Sequence, residues 1–388
     1  MTSVLRRLLA VAGSVALAAS VAGCTDPAPG DPTGGLAVVL GAHVNMPPAA
    51  VEGVAGQVLA NAVDTQALVS LVVADGAPFV LESRQLETAG DDGDAWRASE
   101  QANRRALGEV ISSAAARSPE TDLLGALRLA AAEIAAAPGR HTILVVDSGL
   151  STTGALDFRQ PGLLDADPAD LVASLQAAGA LPDLGGAHVV FQGLGDTAAP
   201  QPELGAAREQ LIDLWTAVVL AAGAVEVNVE RTPLQGEPAA DLPPVSVVGP
   251  GGGLTCTANT VVLDGGDVAF AADTAVFKDP AAATATLQPI ADHMRGDGVT
   301  ATLTGTTADV GDAEGQRRLS RERAQAVADL LRDLGVPADR MTVVGLGSEF
   351  PGYVQDHDGQ GHLSPAAAAL NRKVIIELSG VTTTVICG

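Results

Sequence analysis

The chain has 388 residues, of which 47% are hydrophobic and only 2% aromatic, so it is not a disordered protein and its cores must be built mainly from Ala, Val and Leu. Its length leaves room for two or three domains, because single hydrophobic cores usually stop growing near about 250 residues. The 46 acidic and 22 basic residues give a formal net charge of -24, which repels phosphate backbones and makes nucleic acid a poor partner.

The N-terminal segment predicts export. Arg6 and Arg7 precede an uncharged apolar run, Leu8–Gly23, which is too short for a convincing membrane span and indicates a signal peptide over residues 1–23. The run ends in Val21-Ala22-Gly23-Cys24, which resembles the lipobox of bacterial lipoproteins. That resemblance implies an extracytoplasmic protein held to a membrane by a lipid on Cys24, with a flexible tether over residues 24–35. A secreted chain with an incidental cysteine is the alternative.

Residues 36–230 alternate apolar strands with helices, which predicts an α/β domain with a doubly wound, mostly parallel sheet. The predicted strands are Leu36–Leu40, Ala67–Val73, Thr142–Val146, His188–Gln192 and Val225–Val229. The predicted helices lie near Ala49–Ala62, Ala98–Ala115, Leu123–Ala136, Pro168–Ala177 and Glu203–Ala221. Asp122 and Asp167 are suited to cap the third and fourth of these helices.

Two stretches of this domain, residues 121–127 and 143–149, resemble parts of a von Willebrand factor type A domain. In that family a threonine and an aspartate at these places complete a magnesium site, which implies Thr121 and Asp147 as weak metal candidates here. The main ligands of the family would fall on residues 41–45, where no carboxylate occurs, although a hard cation prefers carboxylate oxygens. We therefore expect no metal and no cofactor, and expect the loops of this domain to serve protein contacts.

Residues 231–255 contain five prolines and the run Gly249-Pro250-Gly251-Gly252-Gly253, which predicts a linker between two domains. The following domain, residues 256–388, begins and ends near the two cysteines that remain after Cys24. An even pair in an oxidising compartment predicts a disulfide between Cys256 and Cys387. Two buried, unpaired cysteines are the alternative.

A second alternation of strands and helices predicts a smaller α/β sandwich at the C-terminus. The predicted elements are strands Val268–Ala271, Thr300–Gly305, Met341–Gly345 and Val374–Leu378 and helices Ala281–Met294 and Arg321–Leu334. Ser320 is expected to cap the second helix, which places Arg323 in its first turn. An arginine there can bind a carboxylate beside free main-chain amides, whereas a solvated helix charge is the alternative.

Four motifs in this region, in order along the chain, resemble the OmpA-like, peptidoglycan-binding domain. They are Leu319-Ser320-Arg321-Glu322-Arg323-Ala324-Gln325-Ala326-Val327, Leu334-Gly335-Val336-Pro337-Ala338-Asp339-Arg340, Gly345-Leu346-Gly347-Ser348 and Asn371-Arg372-Lys373-Val374-Ile375-Ile376-Glu377. The resemblance implies that Arg323 takes the carboxylate of diaminopimelate in the wall stem peptide and that a loop aspartate takes its ammonium. Ala308 stands at the place of that aspartate, so the substitute carboxylate is expected from Asp309, one residue on, or from Asp312. Asn371 and Arg372 complete the implied ligand site.

Enzyme motifs are weak in this sequence. Asp147-Ser148-Gly149 lacks the flanking glycines of a hydrolase elbow, and the acidic and histidine residues of 356–362 read as a solvated polar loop. The sequence therefore predicts a non-enzymatic lipoprotein of the cell envelope that binds or tethers peptidoglycan. The alternative is a protein-interaction module acting through the N-terminal domain, with the C-terminal domain a spacer of weak or no wall affinity.

Overall fold

The structure is a computed structural model that describes residues 34–49, 53–89, 93–238, 240–249, 251–296 and 298–380. The predicted signal peptide, the lipidation site Cys24 and the predicted half-cystine Cys387 lie outside the described residues. Two β-sheets, each with its own helices, make up the described part of the chain. The predicted α/β fold class is confirmed.

The first sheet has six strands within the described ranges. They are β1 (Gly35–Leu40), β2 (Leu68–Val73), β3 (Phe79–Gln85), β4 (His141–Val146), β5 (His188–Gln192) and β6 (Glu226–Glu230). Their order is β3-β2-β1-β4-β5-β6, and every neighbouring pair is parallel except β2 with β3. The order reverses between β1 and β4, which is where doubly wound sheets usually bind their ligands.

Helices cover both faces of this sheet. They are α1 (Gly53–Asp64), α2 (Gly93–Ser112), α3 (Leu123–Ile134), α4 (Pro168–Ala177) and α5 (Ala207–Ala221). The two predicted caps are confirmed: Asp122 accepts a hydrogen bond from the Gly125 amide, and Asp167 accepts one from the Ala169 amide. One apolar core lies under α3, α4 and α5 around the fully buried Trp215, and a second lies under α1 and α2.

Strand β3 has no counterpart among the predicted strands. It is the antiparallel edge strand of the first sheet, and its side chains are half-buried or exposed. Its sequence, Phe-Val-Leu-Glu-Ser-Arg-Gln, therefore lacks the continuous apolar character that made β1 and β4 recognisable.

The second sheet has five strands within the described ranges. They are β7 (Leu254–Thr257), β8 (Thr260–Leu263), β9 (Thr300–Gly305), β10 (Met341–Gly345) and β11 (Val374–Ser379), and the helices that pack with them are α6 (Pro280–Met294), α7 (Ala313–Asp333) and α8 (Pro365–Asn371). The order is β10-β9-β11-β8-β7, with β9 and β10 parallel and the other neighbours antiparallel.

The predicted strand Val268–Ala271 is wrong. A short 3-10 turn occupies residues 266–268, and Phe270 then forms an isolated antiparallel bridge with Phe277. The two rings stack with their centroids 4.7 Å apart. Gly265 and Gly266, both with positive φ, turn the chain away from the sheet after β8, so the apolar residues that follow pack in a loop.

The predicted start of helix α7 is also wrong. The helix begins at Ala313 and is capped by Asp312, whose side chain accepts a hydrogen bond from the Gly315 amide. Ser320 lies inside the helix, and Arg323 comes ten residues after Ala313, about three turns into it. Asp312 and Ser320 are both good capping residues, but the earlier cap adds two turns of helix.

The segment between the two sheets packs against the first domain, and Leu234, Val245 and Val248 are buried along it. Within the described part of the chain, no helix is long and apolar enough to cross a membrane. The second domain contacts the first mainly through α8, whose Ala366 is part of the core under α3, α4 and α5. Those contacts bring the α8 end of the second domain beside α4.

Candidate functional site

Helix α7 lies close against the ends of two strands because glycines occupy those ends. A Cβ atom on Gly305, the last residue of β9, would overlap the carbonyl oxygen of Ser320. One on Gly345, the last residue of β10, would lie 2.5 Å from main-chain atoms of α7. The Ser320 hydroxyl accepts a hydrogen bond of 3.0 Å from the Gly347 amide. These motif residues therefore position α7 and the loop after β10.

Arg323 lies on α7 beneath the loop that carries Phe270 and is only 8% exposed. Its Nε donates a hydrogen bond of 2.8 Å to the Thr274 carbonyl oxygen, and its Cζ lies 5.5 Å from the centroid of the Phe270 ring. Burial, and then the positive charge of Arg372, lower the pKa of Arg323 to about 10, so the side chain stays cationic at neutral pH. Among the described residues no carboxylate forms an ion pair with it, which leaves a buried cation suited to an anionic ligand.

Arg372 comes directly after α8. Its Nη2 donates to the Oδ2 of Asp170, in the first turn of α4, over 2.5 Å. Its Nη1 is buried without a hydrogen-bond partner among the described residues. Only one arm of this guanidinium is therefore paired, and its partner comes from the first domain.

The loop after β9 presents one carboxylate of the implied ligand site. Ala308 is 2% exposed, whereas Asp309 is exposed. The Asp309 Oδ1 accepts a hydrogen bond of 2.9 Å from Gln316 Nε2, and Gln316 Oε1 accepts one of 2.7 Å from the Ser348 hydroxyl. Asp309 is thus a surface carboxylate whose orientation is fixed by α7.

Asp356 is fully buried, which corrects the expectation of a solvated polar loop at this point. Its carboxylate accepts hydrogen bonds from the Tyr353 hydroxyl, the His357 Nδ1, the Asn371 Nδ2 and the Asp309 amide. Burial favours the neutral acid, but these donors hold the pKa of Asp356 below its ordinary value. The carboxylate therefore ties the loop after β10 to the loop that carries Asp309.

Asn371 is also fully buried. Its Oδ1 accepts a hydrogen bond of 2.9 Å from the Val354 amide, and its Nδ2 donates one of 2.7 Å to the Val354 carbonyl oxygen as well as bonding Asp356. Both ends of the amide are engaged within the protein. In this arrangement Asn371 positions the loop and offers no donor to a ligand.

In the first domain, Asp147 follows β4 at the switch point of the sheet and is fully buried. Its Oδ1 accepts a hydrogen bond of 2.6 Å from the Gly149 amide, and its Oδ2 lies 3.6 Å from His43 Nε2. A Cβ atom on Gly41 would overlap that Oδ2. That Oδ2 and both ring nitrogens of His43 are buried without hydrogen-bond partners among the described residues.

Thr121, the other metal candidate, donates its hydroxyl to the Ala74 carbonyl oxygen over 2.9 Å. Among the described residues no group of three or more His, Cys, Asp or Glu side chains is placed to hold a metal ion. Thr121 and Asp147 therefore each form a hydrogen bond with a main-chain group at the end of the sheet.

Sequence reasoning missed two residues that the site depends on. Asp170 was not recognised because its partner Arg372 is 202 positions away in the chain. Glycines and polar residues surround Asp356 in sequence, and that pattern predicts a surface residue where the structure has a buried one. Its only local indication was the nearby Tyr353, the single tyrosine of the chain and a natural donor to a buried carboxylate.

Cys256 lies on β7, the edge strand of the second sheet. Its predicted partner Cys387 lies outside the described residues, so the bridge between them stays a prediction.

Comparisons with known proteins identify one region. Residues 269–362 match the OmpA family, and they include α6, β9, α7 and β10. No curated protein matches the chain.

Similar solved structures cover about a third of the chain. The peptidoglycan-associated lipoprotein from Burkholderia pseudomallei is 29% identical, with 29% of this chain and 88% of that chain covered and a TM-score of 0.25. The cell wall anchor of the T6SS from Pseudomonas aeruginosa is 29% identical over 30% of this chain and 78% of that chain, with a TM-score of 0.25. The periplasmic domain of Helicobacter pylori MotB is 19% identical over 34% and 85%, with a TM-score of 0.28. All three TM-scores lie below 0.5.

Proposed function

We propose that this protein is a non-enzymatic component of the cell envelope whose C-terminal domain binds peptidoglycan. The observation that carries the proposal is the match of residues 269–362 to the OmpA family, within which the motif arginine Arg323 is a buried cation without an ionic partner among the described residues. A buried charge of this kind is costly unless a ligand or a neighbour neutralises it. The carboxylate of a bound ligand would supply the negative charge that neutralises Arg323.

The ligand we propose is the diaminopimelate residue of the wall stem peptide, whose side chain ends in both a carboxylate and an ammonium group. Arg323 would bind the carboxylate by charge-assisted hydrogen bonds, which are stronger than neutral ones. Asp309, exposed and held by Gln316, would bind the ammonium in place of the family aspartate. If Asp309 does not reach the ammonium, the lost contact weakens binding by about 1.5–3 kcal/mol.

The membrane attachment rests on sequence alone. We propose that Cys24 becomes the lipidated first residue of the mature protein, so that the chain links a membrane to the wall. Mass spectrometry of the mature N-terminus tests this directly. A lipid-modified Cys24 is expected, and a mature chain that begins elsewhere with unmodified Cys24 contradicts the anchor.

A second candidate function is supported by the contact between the domains. Arg323 is nearly inaccessible, and Arg372 is already paired with Asp170 of the first domain. A C-terminal domain that had lost its ligand would act as a spacer, and the loops of the first domain would bind a protein partner. This alternative predicts no measurable affinity for peptidoglycan.

Co-sedimentation of the purified protein with diaminopimelate-containing peptidoglycan separates the two functions. Arg323→Ala is expected to weaken binding at least about tenfold, because it removes one partner of a buried charge-assisted contact. The matched control is Arg321→Ala, which removes the same charge from an exposed position on the same helix. Circular dichroism spectra establish that each variant is folded.

A second kind of peptidoglycan tests whether the site recognises the side-chain carboxylate of diaminopimelate. Peptidoglycan with lysine in place of diaminopimelate keeps the ammonium and lacks the side-chain carboxylate. We expect weaker binding to that wall, with little further loss on Arg323→Ala. Equal binding of both walls contradicts diaminopimelate as the recognised residue. No binding by the folded wild-type protein overturns the proposed function in favour of the protein-interaction alternative.

A further inference from the structure

The arginines of the implied wall site face a helix of the other domain. Asp170 in the first turn of α4 pairs with Arg372, and both side chains are about one-quarter exposed, at 22% and 24%. Asp273 of the second domain and then Asp167, which caps α4, act electrostatically on Arg323 and partly offset the lowering of its pKa. The first domain thus places two carboxylates beside the two arginines.

The ion pair between Arg372 and Asp170 uses only one arm of the guanidinium, which favours its exchange for a ligand. The Arg372 Nη1 is buried and has no hydrogen-bond partner among the described residues, although arginine and a carboxylate can form two parallel hydrogen bonds. Asp170 therefore satisfies one arm of the guanidinium. A free carboxylate, not fixed to a helix, can approach both arms.

The covering helix is held by a small apolar contact. Helix α4 has ten residues, and Leu171 and Leu175 are its buried ones. Elements with few buried apolar contacts open at low free energy compared with the rest of a domain. Movement of α4 away from α8 is thus possible without unfolding the sheet.

We propose that α4 is a cap over the wall-binding site and that the Asp170 carboxylate occupies the position of a ligand group at Arg372, the second arginine of that site. Wall binding then requires Arg372 to exchange Asp170 for the ligand. The apparent affinity is the affinity of the open form multiplied by the fraction of molecules in which the cap is open. This inference rests on the proposed function and adds that the first domain controls it.

Neutralising the carboxylate tests the cap in the full chain. Asp170→Asn is expected to raise the affinity for diaminopimelate-containing peptidoglycan by about fivefold or more, which is the usual scale of coupling between two sites. Glu109→Gln, an exposed substitution on α2, is the control and is expected to bind as wild type does. Adding Arg323→Ala to Asp170→Asn is expected to abolish the gain.

A second measurement uses the unmodified protein. Soluble stem peptide ending in diaminopimelate is expected to speed hydrogen exchange at the α4 amides while leaving those of α3 unchanged. Equal wall affinity of wild type and Asp170→Asn, with unchanged α4 exchange, overturns the cap and leaves the proposed function standing. Absence of binding by both proteins overturns the proposed function, and the cap falls with it.

Discussion

Replacing Asp356 by alanine tests the hydrogen-bond network that joins the loops of the second domain. Four donors lose their acceptor, but the Tyr353 and His357 side chains are partly exposed and can turn to water. The Asn371 Nδ2 keeps its bond to the Val354 carbonyl oxygen, but its second N–H and the Asp309 amide are left without an acceptor. Two such groups at about 1–3 kcal/mol each, less the relief of no longer burying a charge, give a loss of about 2–4 kcal/mol.

Urea unfolding measures this loss. The single tyrosine, Tyr353, reports the second domain by its absorbance, whereas both tryptophans, Trp96 and Trp215, lie in the first domain and report its unfolding by fluorescence. Asp356→Ala should lower the midpoint of the tyrosine transition. Asp358→Ala is the control, because Asp358 is exposed in the same loop. Equal midpoints for the two variants would refute the assignment of Asp356 as the centre of this network.

The Asp356 carboxylate also makes the free energy of unfolding depend on pH. Its folded-state pKa lies below the unfolded value of about 3.9, so its stabilisation is complete above that value and is lost as the pH falls through the lower folded-state pKa. Asp356→Asn removes this part of the acid sensitivity. The difference in unfolding free energy between wild type and variant should therefore shrink at acid pH, and a constant difference contradicts the linkage.

The remaining predictions concern single positions. Burial, reinforced by the Asp356 carboxylate, raises the pKa of Tyr353 to about 12, so the tyrosinate absorbance should appear with that midpoint. In Asp356→Ala the midpoint should move toward about 10, and circular dichroism checks that the variant is folded. Gly305→Ala should destabilise the protein by about 1–3 kcal/mol in thermal unfolding, because the added methyl group overlaps α7. Gly108→Ala, in open space on α2, should stabilise it by about 0.5–1 kcal/mol, because alanine favours a helix more than glycine does. Peptide mapping without reductant should recover Cys256 linked to the C-terminal peptide, and a free Cys256 thiol would contradict the predicted disulfide.

Much of the first domain could be predicted because its buried strands are continuous apolar runs. Strand β1 is buried along its whole length, and β5 was placed at its observed limits. Helix α4 was placed equally well because Asp167 and Pro168 mark its start. Strand β3 was missed because an edge strand buries too little to leave an apolar pattern.

The second domain shows where local signals compete. Ser320 looks like a helix cap, but its hydroxyl bonds the Gly347 amide instead, and the cap is Asp312. The consequence for function is direct. Arg323 is not beside the free amides of a helix start, so its affinity for a carboxylate must come from burial and from its neighbours.

Sequence alone could not show that a helix of the first domain reaches an arginine of the implied wall site. The motif that supplies Arg372 is local, but its partner Asp170 belongs to the other domain, and only folding brings them together. If Asp170 and the wall compete for Arg372, a protein that binds the first domain and moves α4 changes the affinity of the second domain for peptidoglycan. Linkage requires the converse as well, so wall binding must change the affinity of the first domain for that partner by the same factor.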